Sequence, residues 1–199
     1  MSHPTIVRVF DAGEQTVTDP SGNELQLPFI IMERVEGRLL SELLADGPLD
    51  PQQAVRIADG ILTALEYSHQ AGVVHLDIKP GNVMIAPNGQ VKVMDFGIAR
   101  AISDSSANLA QTSAILGTAR YFSPEQAKAA KDVDHRADIY ALGVVLYEAL
   151  CGSRPVDSDV SVGDRLEGRA KFRTLTERMP DVDKELARIV TKATSESPK

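Results

Sequence analysis

Apolar positions recur along this chain at strand spacing first, then at helical spacing, then in brief runs that frame polar residues, and finally at helical spacing again. Residues 6–10 and 27–32 read as two strands. The run between them, 11–24 with Asp19-Pro20-Ser21-Gly22-Asn23, reads as a turn-rich connector. A short helix is predicted over 38–45. A longer one starts at Pro51 behind an Asp50 cap and ends at Ala71-Gly72. Its apolar face is Val55, Ala58, Leu62, Leu65 and His69, widened by Ile57, Ile61 and Ala64, which predicts a core helix.

Val73-Val74 then leads into His75-Leu76-Asp77-Ile78-Lys79-Pro80-Gly81-Asn82, and Val83-Met84-Ile85 leads out. The polar groups therefore sit on a loop between two short buried segments. A turn at Pro87-Asn88-Gly89 and a strand over 91–94 carry the chain to Asp95-Phe96-Gly97. From 101 to 116 the residues are small and polar, as in a surface loop. The run 139–150 is apolar nearly all round and predicts a central, buried helix, with Asp138 placed to cap it. The stretch 154–180 is poorly patterned, a loop with one short helix at most. A last amphipathic helix covers 183–193, with Leu186, Ile189 and Val190 inward.

The 199 residues suit one domain with a sizeable core, and 43% hydrophobic with 25% charged residues is ordinary for a globular protein. With 21 Lys and Arg against 28 Asp and Glu, the net charge of -7 argues against a general nucleic-acid binder. Cys151 is the one cysteine, so no intrachain disulfide forms, and it reads as a small buried hydrophobe at a helix end. The longest apolar run, 139–147, is far too short to cross a bilayer, and a signal pattern is lacking, so the chain reads as soluble. His69 reads as a packed helix-end residue, because no second His or Cys lies at ligand spacing.

The chemistry concentrates at residues 75–97. Asp77 can accept a proton from a hydroxyl, Lys79 can neutralise a transferring phosphoryl group, and Asn82 with Asp95 can hold a divalent cation. An Asx-rich turn would explain Asp-x-x-x-x-Asn alone, but not both motifs in order, a strand's length apart. Together they resemble the catalytic loop and metal-binding Asp-Phe-Gly of protein kinases. Leu76 stands where that family usually has arginine. Asp77-Ile78-Lys79-Pro80 resembles the Ser/Thr kinases. Val91-Lys92-Val93-Met94-Asp95-Phe96-Gly97-Ile98-Ala99-Arg100 and Ser123-Pro124-Glu125-Gln126-Ala127 resemble the eukaryotic-like (Hanks-type) bacterial Ser/Thr kinases, particularly the actinobacterial membrane-anchored ones.

The resemblance implies an α+β, protein-kinase-like fold, with residues 1–35 a remnant of the small lobe (two strands and the hinge). Residues 36–199 would be the large lobe, truncated near its C-terminal helices. It implies transfer of the terminal phosphoryl group of ATP to a protein serine or threonine, with Mg2+. Asp77, Lys79, Asn82 and Thr118 would be catalytic, Thr118 tying Asp77 to Lys79, and Asn82 and Asp95 would hold the metal. Met32 as gatekeeper, the backbones of Glu33 and Val35, and Met84 as floor would surround adenine. His75, Phe96, Asp138 and Glu125 would be structural supports, and Thr112 and Ser113 in the activation segment the candidate phosphosites; for these two, plain loop solubility is an equal reading. Lys79 is the first lysine, and no Gly-x-Gly-x-x-Gly loop or Val-Ala-x-Lys strand occurs. Two parts of the phosphate clamp are thus missing, and activity is not expected of these residues alone. A cytoplasmic location is implied, with no nucleic-acid partner and no membrane segment in this chain; a homodimer and an anchor outside it are both compatible. Two other readings fit: a non-catalytic, kinase-like binding module, and a small-molecule phosphotransferase sharing the loop. The peptide-docking pattern at 117–125 counts against the second.

Overall fold

A computed structural model of the chain describes residues 2–96, 119–128, 130, 132–156 and 172–195. Strand β1 (Val9–Thr18) and strand β2 (Glu24–Met32) form an antiparallel hairpin, with Val9 opposite Met32 and Thr18 opposite Glu24. The run 11–18 is therefore strand, not connector. Almost every residue of the hairpin is exposed, so it never needed the period-two pattern that marks a half-buried strand. The turn itself is 19–23. There Asp19 Oδ1 accepts from the Ser21 and Asn23 amides and Gly22 takes a φ of 88°. Residues 6–8 lie outside β1. Ile6 forms a parallel bridge to Val93, and the Val7 amide donates to the Val93 carbonyl at 2.9 Å.

Strands β3 (Arg38–Leu39), β4 (Val83–Ile85) and β5 (Val91–Val93) make a second sheet in that order, antiparallel throughout. Helix α1 (Leu40–Ala45) continues directly from β3. Helix α2 (Pro51–Gln70) starts as its sequence predicts, with Asp50 Oδ1 accepting from the Gln52 and Gln53 amides. Gly72, at a φ of 74°, lets the chain leave it.

The buried face of α2 is Ala54, Ile57, Ala58, Ile61, Ala64, Leu65 and Ser68, whereas Val55 and Leu62, predicted inward, are exposed. Two overlapping apolar stripes were available. The one rich in alanine faces the core, where α2 comes so close to β5 that a Cβ on Gly60 would lie 2.6 Å from Val91.

Helix α3 (Pro124–Ala127) precedes helix α4 (Arg136–Cys151), which is buried on nearly every side as predicted. Helix α5 (Leu175–Arg178) is a short helix among the described residues of the poorly patterned region, and helix α6 (Lys184–Ala193) closes the described chain behind an Asp183 cap. Helix α4 packs on α2 and α6. Gly143 of α4 faces the end of α6, where a Cβ would meet the Ala193 Cβ at 2.8 Å. That contact directs Ala187 and Val190 inward and leaves Ile189, predicted inward, exposed. Cys151 is half-buried against the core, and burial raises the pKa of its thiol. No described helix is long and apolar enough to cross a membrane.

Candidate active site

Between α2 and β4 the chain runs without regular structure until a turn at 80–82, and α4 holds it in place. Asp138, fully buried in the first turn of α4, accepts from the His75 amide at 2.8 Å and the Leu76 amide at 2.7 Å. Its carboxylate thus serves the loop, while Asp134 takes the Arg136 amide at the helix start. His69 Nε2 also lies 2.8 Å from Asp138 Oδ2, so this histidine ties the end of α2 to the same carboxylate.

His75 is fully buried. The Asp77 amide donates to its Nδ1 at 3.2 Å, which leaves the proton on Nε2 to be donated to the Met94 carbonyl at 2.8 Å. Burial holds its pKa below the usual histidine value, against the raising effect of the bond to Met94. Its ring packs on Phe96 with centroids 4.5 Å apart. His75, Phe96 and Asp138 are thus joined by direct contacts to the loop and to the end of β5.

Two non-glycine residues occupy the left-handed region: Leu76 at φ 64° and Asp95 at φ 63°. For a leucine this costs about 1–2 kcal/mol and persists only where neighbours over-determine it. Here they do. The Leu76 amide is held by Asp138, and its carbonyl accepts from Gln126 Nε2 at 2.9 Å.

The loop brings Asp77, Lys79 and Asn82 together. Asp77 Oδ2 accepts from Lys79 Nζ at 2.8 Å and from Asn82 Nδ2 at 2.9 Å, and Asn82 Nδ2 also donates to the Asp77 carbonyl. Asp77 Oδ1 is buried and has no hydrogen-bond partner among the described residues. With Nδ2 committed to Asp77, the Asn82 side-chain oxygen is turned away from that carboxylate. The Met94 amide donates to the Asn82 carbonyl at 2.9 Å, which places Asp95 just beyond it.

Among the described residues no group of three or more His, Cys, Asp or Glu could hold a metal unaided. Asn82 and Asp95 supply two hard oxygen donors. That suits Mg2+, which takes one or two protein ligands and completes its shell with phosphate and water.

Asp95 and Phe96 line a cavity of about 210 Å³ with Ile6, Val9, Ile30 and Met32, between the hairpin and the end of β5. Glu33 forms an ion pair with Lys92, which holds its carboxyl below the usual range, and its amide donates to the Arg8 carbonyl. Val35 and Met84 are half-buried and lie outside that cavity, Met84 pairing with Leu39 in the sheet.

Glu125 lies elsewhere, in a groove of about 1150 Å³ between α4 and α6 that Arg136 also lines. Thr112, Ser113 and Thr118 lie outside the described residues. Sequence reasoning missed His69, Lys92 and Gln126. The charged centre of Val91-Lys92-Val93 was one available signal, and the spacing Ser123-x-x-Gln126, a capping box, was another.

The family described as "Protein kinase domain" matches residues 1–199. The chain is 47% identical over its whole length to a probable serine/threonine-protein kinase of Streptomyces coelicolor, covering 29% of that protein. It is 45% identical, again over its whole length, to the serine/threonine-protein kinase PknB of Mycolicibacterium smegmatis, covering 31% of it. A probable serine/threonine-protein kinase PknB of Bifidobacterium longum is 47% identical over 81% of the chain, which spans 24% of that relative. The chain thus spans between 24% and 31% of the length of these relatives.

Proposed function

Because this chain belongs to the protein kinase domain family, we propose that it is the main part of a catalytic domain that transfers the terminal phosphoryl group of ATP to a serine or threonine of a protein. Residues 1–35 contribute the hinge side of the small lobe and 36–199 the large lobe. The observation that carries this reading is the Asp77 carboxylate. One oxygen is fixed by Lys79 and Asn82, and the other is buried without a partner among the described residues. An unsatisfied acceptor of this kind is costly to bury and is ready for a hydroxyl donor.

A serine or threonine hydroxyl set against Asp77 Oδ1 loses its proton to the carboxylate as its oxygen bonds to the terminal phosphorus and the bond to the ADP oxygen breaks. Lys79, beside Asp77, offsets charge on the phosphoryl oxygens. Asn82 and Asp95 would hold magnesium, which neutralises the phosphates when bound. Thr118 would join Asp77 to Lys79. Met32, the backbones of Glu33 and Val35, and Met84 would enclose adenine, and Thr112 and Ser113 would take regulatory phosphate. A protein partner and a reducing cytoplasm fit this reading.

The test uses a protein in which a glycine-rich loop and a lysine-bearing strand precede residue 1. Asp77→Asn keeps the side chain's shape and removes the base. It should lower kcat on a serine peptide about 100-fold or more, while KM for ATP moves little. Turnover equal to the parent protein would overturn the assignment.

A further inference from the structure

Gln126 joins α3 to the catalytic loop through one side-chain amide. Its Nε2 donates to the Leu76 carbonyl at 2.9 Å, and its Oε1 accepts from the Ser123 amide at 3.1 Å. We propose that Gln126 is a positioning residue for phosphoryl transfer: it locks the peptide plane between Leu76 and Asp77 and so aims the Asp77 carboxylate. This rests on the reading of Asp77 as the base.

That peptide plane carries two polar atoms, the Leu76 carbonyl and the Asp77 amide. The first is held by Gln126 and the second by His75 Nδ1. The left-handed φ of Leu76 favours relaxation of the plane. A rotation there would swing Asp77 away from Lys79 and Asn82, which meet only its Oδ2 among its carboxylate oxygens. His75 and Asp138 are buried in the core, but Gln126 reaches the plane from outside it. The direction of its amide is fixed by the reciprocal capping box, in which the Gln126 amide donates back to Ser123 Oγ at 3.3 Å. A capping box accepts Glu as well as Gln. Only Gln leaves a donor for the Leu76 carbonyl, so the cap and the lock can be separated.

Gln126→Glu keeps the acceptor for the Ser123 amide and removes the donor to Leu76, whereas Ser123→Ala keeps both side-chain bonds of Gln126 and removes only the Oγ that accepts from its backbone amide. In the protein with the preceding loop and strand, Gln126→Glu should retain the parent melting temperature and lower kcat about tenfold to 100-fold, with KM for ATP and peptide within about twofold. Ser123→Ala should keep kcat within about threefold. The introduced carboxyl regains a donor when protonated, so kcat of Gln126→Glu relative to the parent should rise as pH falls from about 8 to about 5.5. A merely structural role predicts no such rise. In residues 1–199 themselves, amide exchange at Leu76 and Asp77 should be faster in Gln126→Glu than in the unsubstituted chain. If Asp77→Asn abolishes turnover while Gln126→Glu matches the parent in both kcat and exchange, the positioning role is wrong and the base assignment stands. If Asp77→Asn keeps full turnover, the base assignment is wrong, and unchanged exchange at Leu76 and Asp77 would then overturn the lock as well.

Discussion

The His75 ring has no room for a second proton. Its Nε2–H is given to the Met94 carbonyl and its Nδ1 receives the Asp77 amide, so protonating Nδ1 would break the contact that steadies Asp77. Burial already lowers its pKa in the folded chain. On acidification the unfolded ring, with an ordinary value of about 6.5, takes its proton first. The stability due to this residue is therefore complete above about 6.5 and declines as pH falls from there through the lower folded-state value. Urea unfolding at about pH 7.5 and about pH 5.5 should show the unsubstituted chain losing stability in acid. His75→Asn should be less stable at both values but lose less between them, and an equal loss would assign the dependence to other groups. At this scale the sequence disclosed the residues whose type alone carries a role. Asp77, Lys79 and Asn82 do meet, and Asp138 does hold the loop. It did not disclose Gln126 or His69, because each acts on a partner 50 or 69 positions away and neither carries a chemistry that demands that partner.

Helix α2 shows what periodicity can and cannot decide. Its start, its end and its burial follow from Asp50, Pro51 and Gly72, which act locally. Which of its two apolar stripes faces inward depends on how near β5 can come, and that is a tertiary matter invisible in a window of sequence. Gly60 is the residue that admits β5. An added methyl would lie 2.6 Å from both Cβ and Cγ2 of Val91, and a β-branched side chain cannot rotate its own Cβ away. Alanine would gain about 1 kcal/mol in helix propensity over glycine. Overpacking a tight contact costs about 1–3 kcal/mol. With the clash reaching the Cβ, the second term wins, and Gly60→Ala should lower the unfolding free energy measured in denaturant by up to about 2 kcal/mol. A stabilised Gly60→Ala variant would show that α2 and β5 can separate freely. The hairpin illustrates the converse. Its second strand was legible from its apolar run, but most of β1 was not, because β2 rather than residue preference makes 11–18 a strand.

Across the described residues, helices α1, α2, α4, α5 and α6 and the three-stranded sheet share one core, and no residue of the β1–β2 hairpin belongs to it. Val9, Phe10, Leu25, Leu27, Phe29, Ile30, Ile31 and Met32 are all at least 38% exposed. A two-stranded hairpin with both faces wet is marginal in water, and each of its outer edges offers unpaired backbone groups. Among the described residues its ties to the rest are few and lie at one end. The Val7 amide donates to the Val93 carbonyl and the Val93 amide to the Thr5 carbonyl, and the Glu33–Lys92 ion pair fastens the other strand where it leaves β2. Opening should therefore start at the 19–23 turn and run toward those ties without disturbing α4. Hydrogen exchange of the isolated chain should find the amides of β1 and β2 at least about 100-fold less protected than those of α4. The Val7 and Val93 amides, held at 2.9 and 2.8 Å, should fall between. The cavity shared by Met32, Asp95 and Phe96 would open with the hairpin, since Val9, Ile30 and Met32 form its roof. A nucleotide bound beneath the hairpin should then slow exchange in β2 while leaving α4 unchanged. Protection of the hairpin equal to that of α4, with no nucleotide present, would mean that the two open as one unit and that the hairpin is no gate to the cavity.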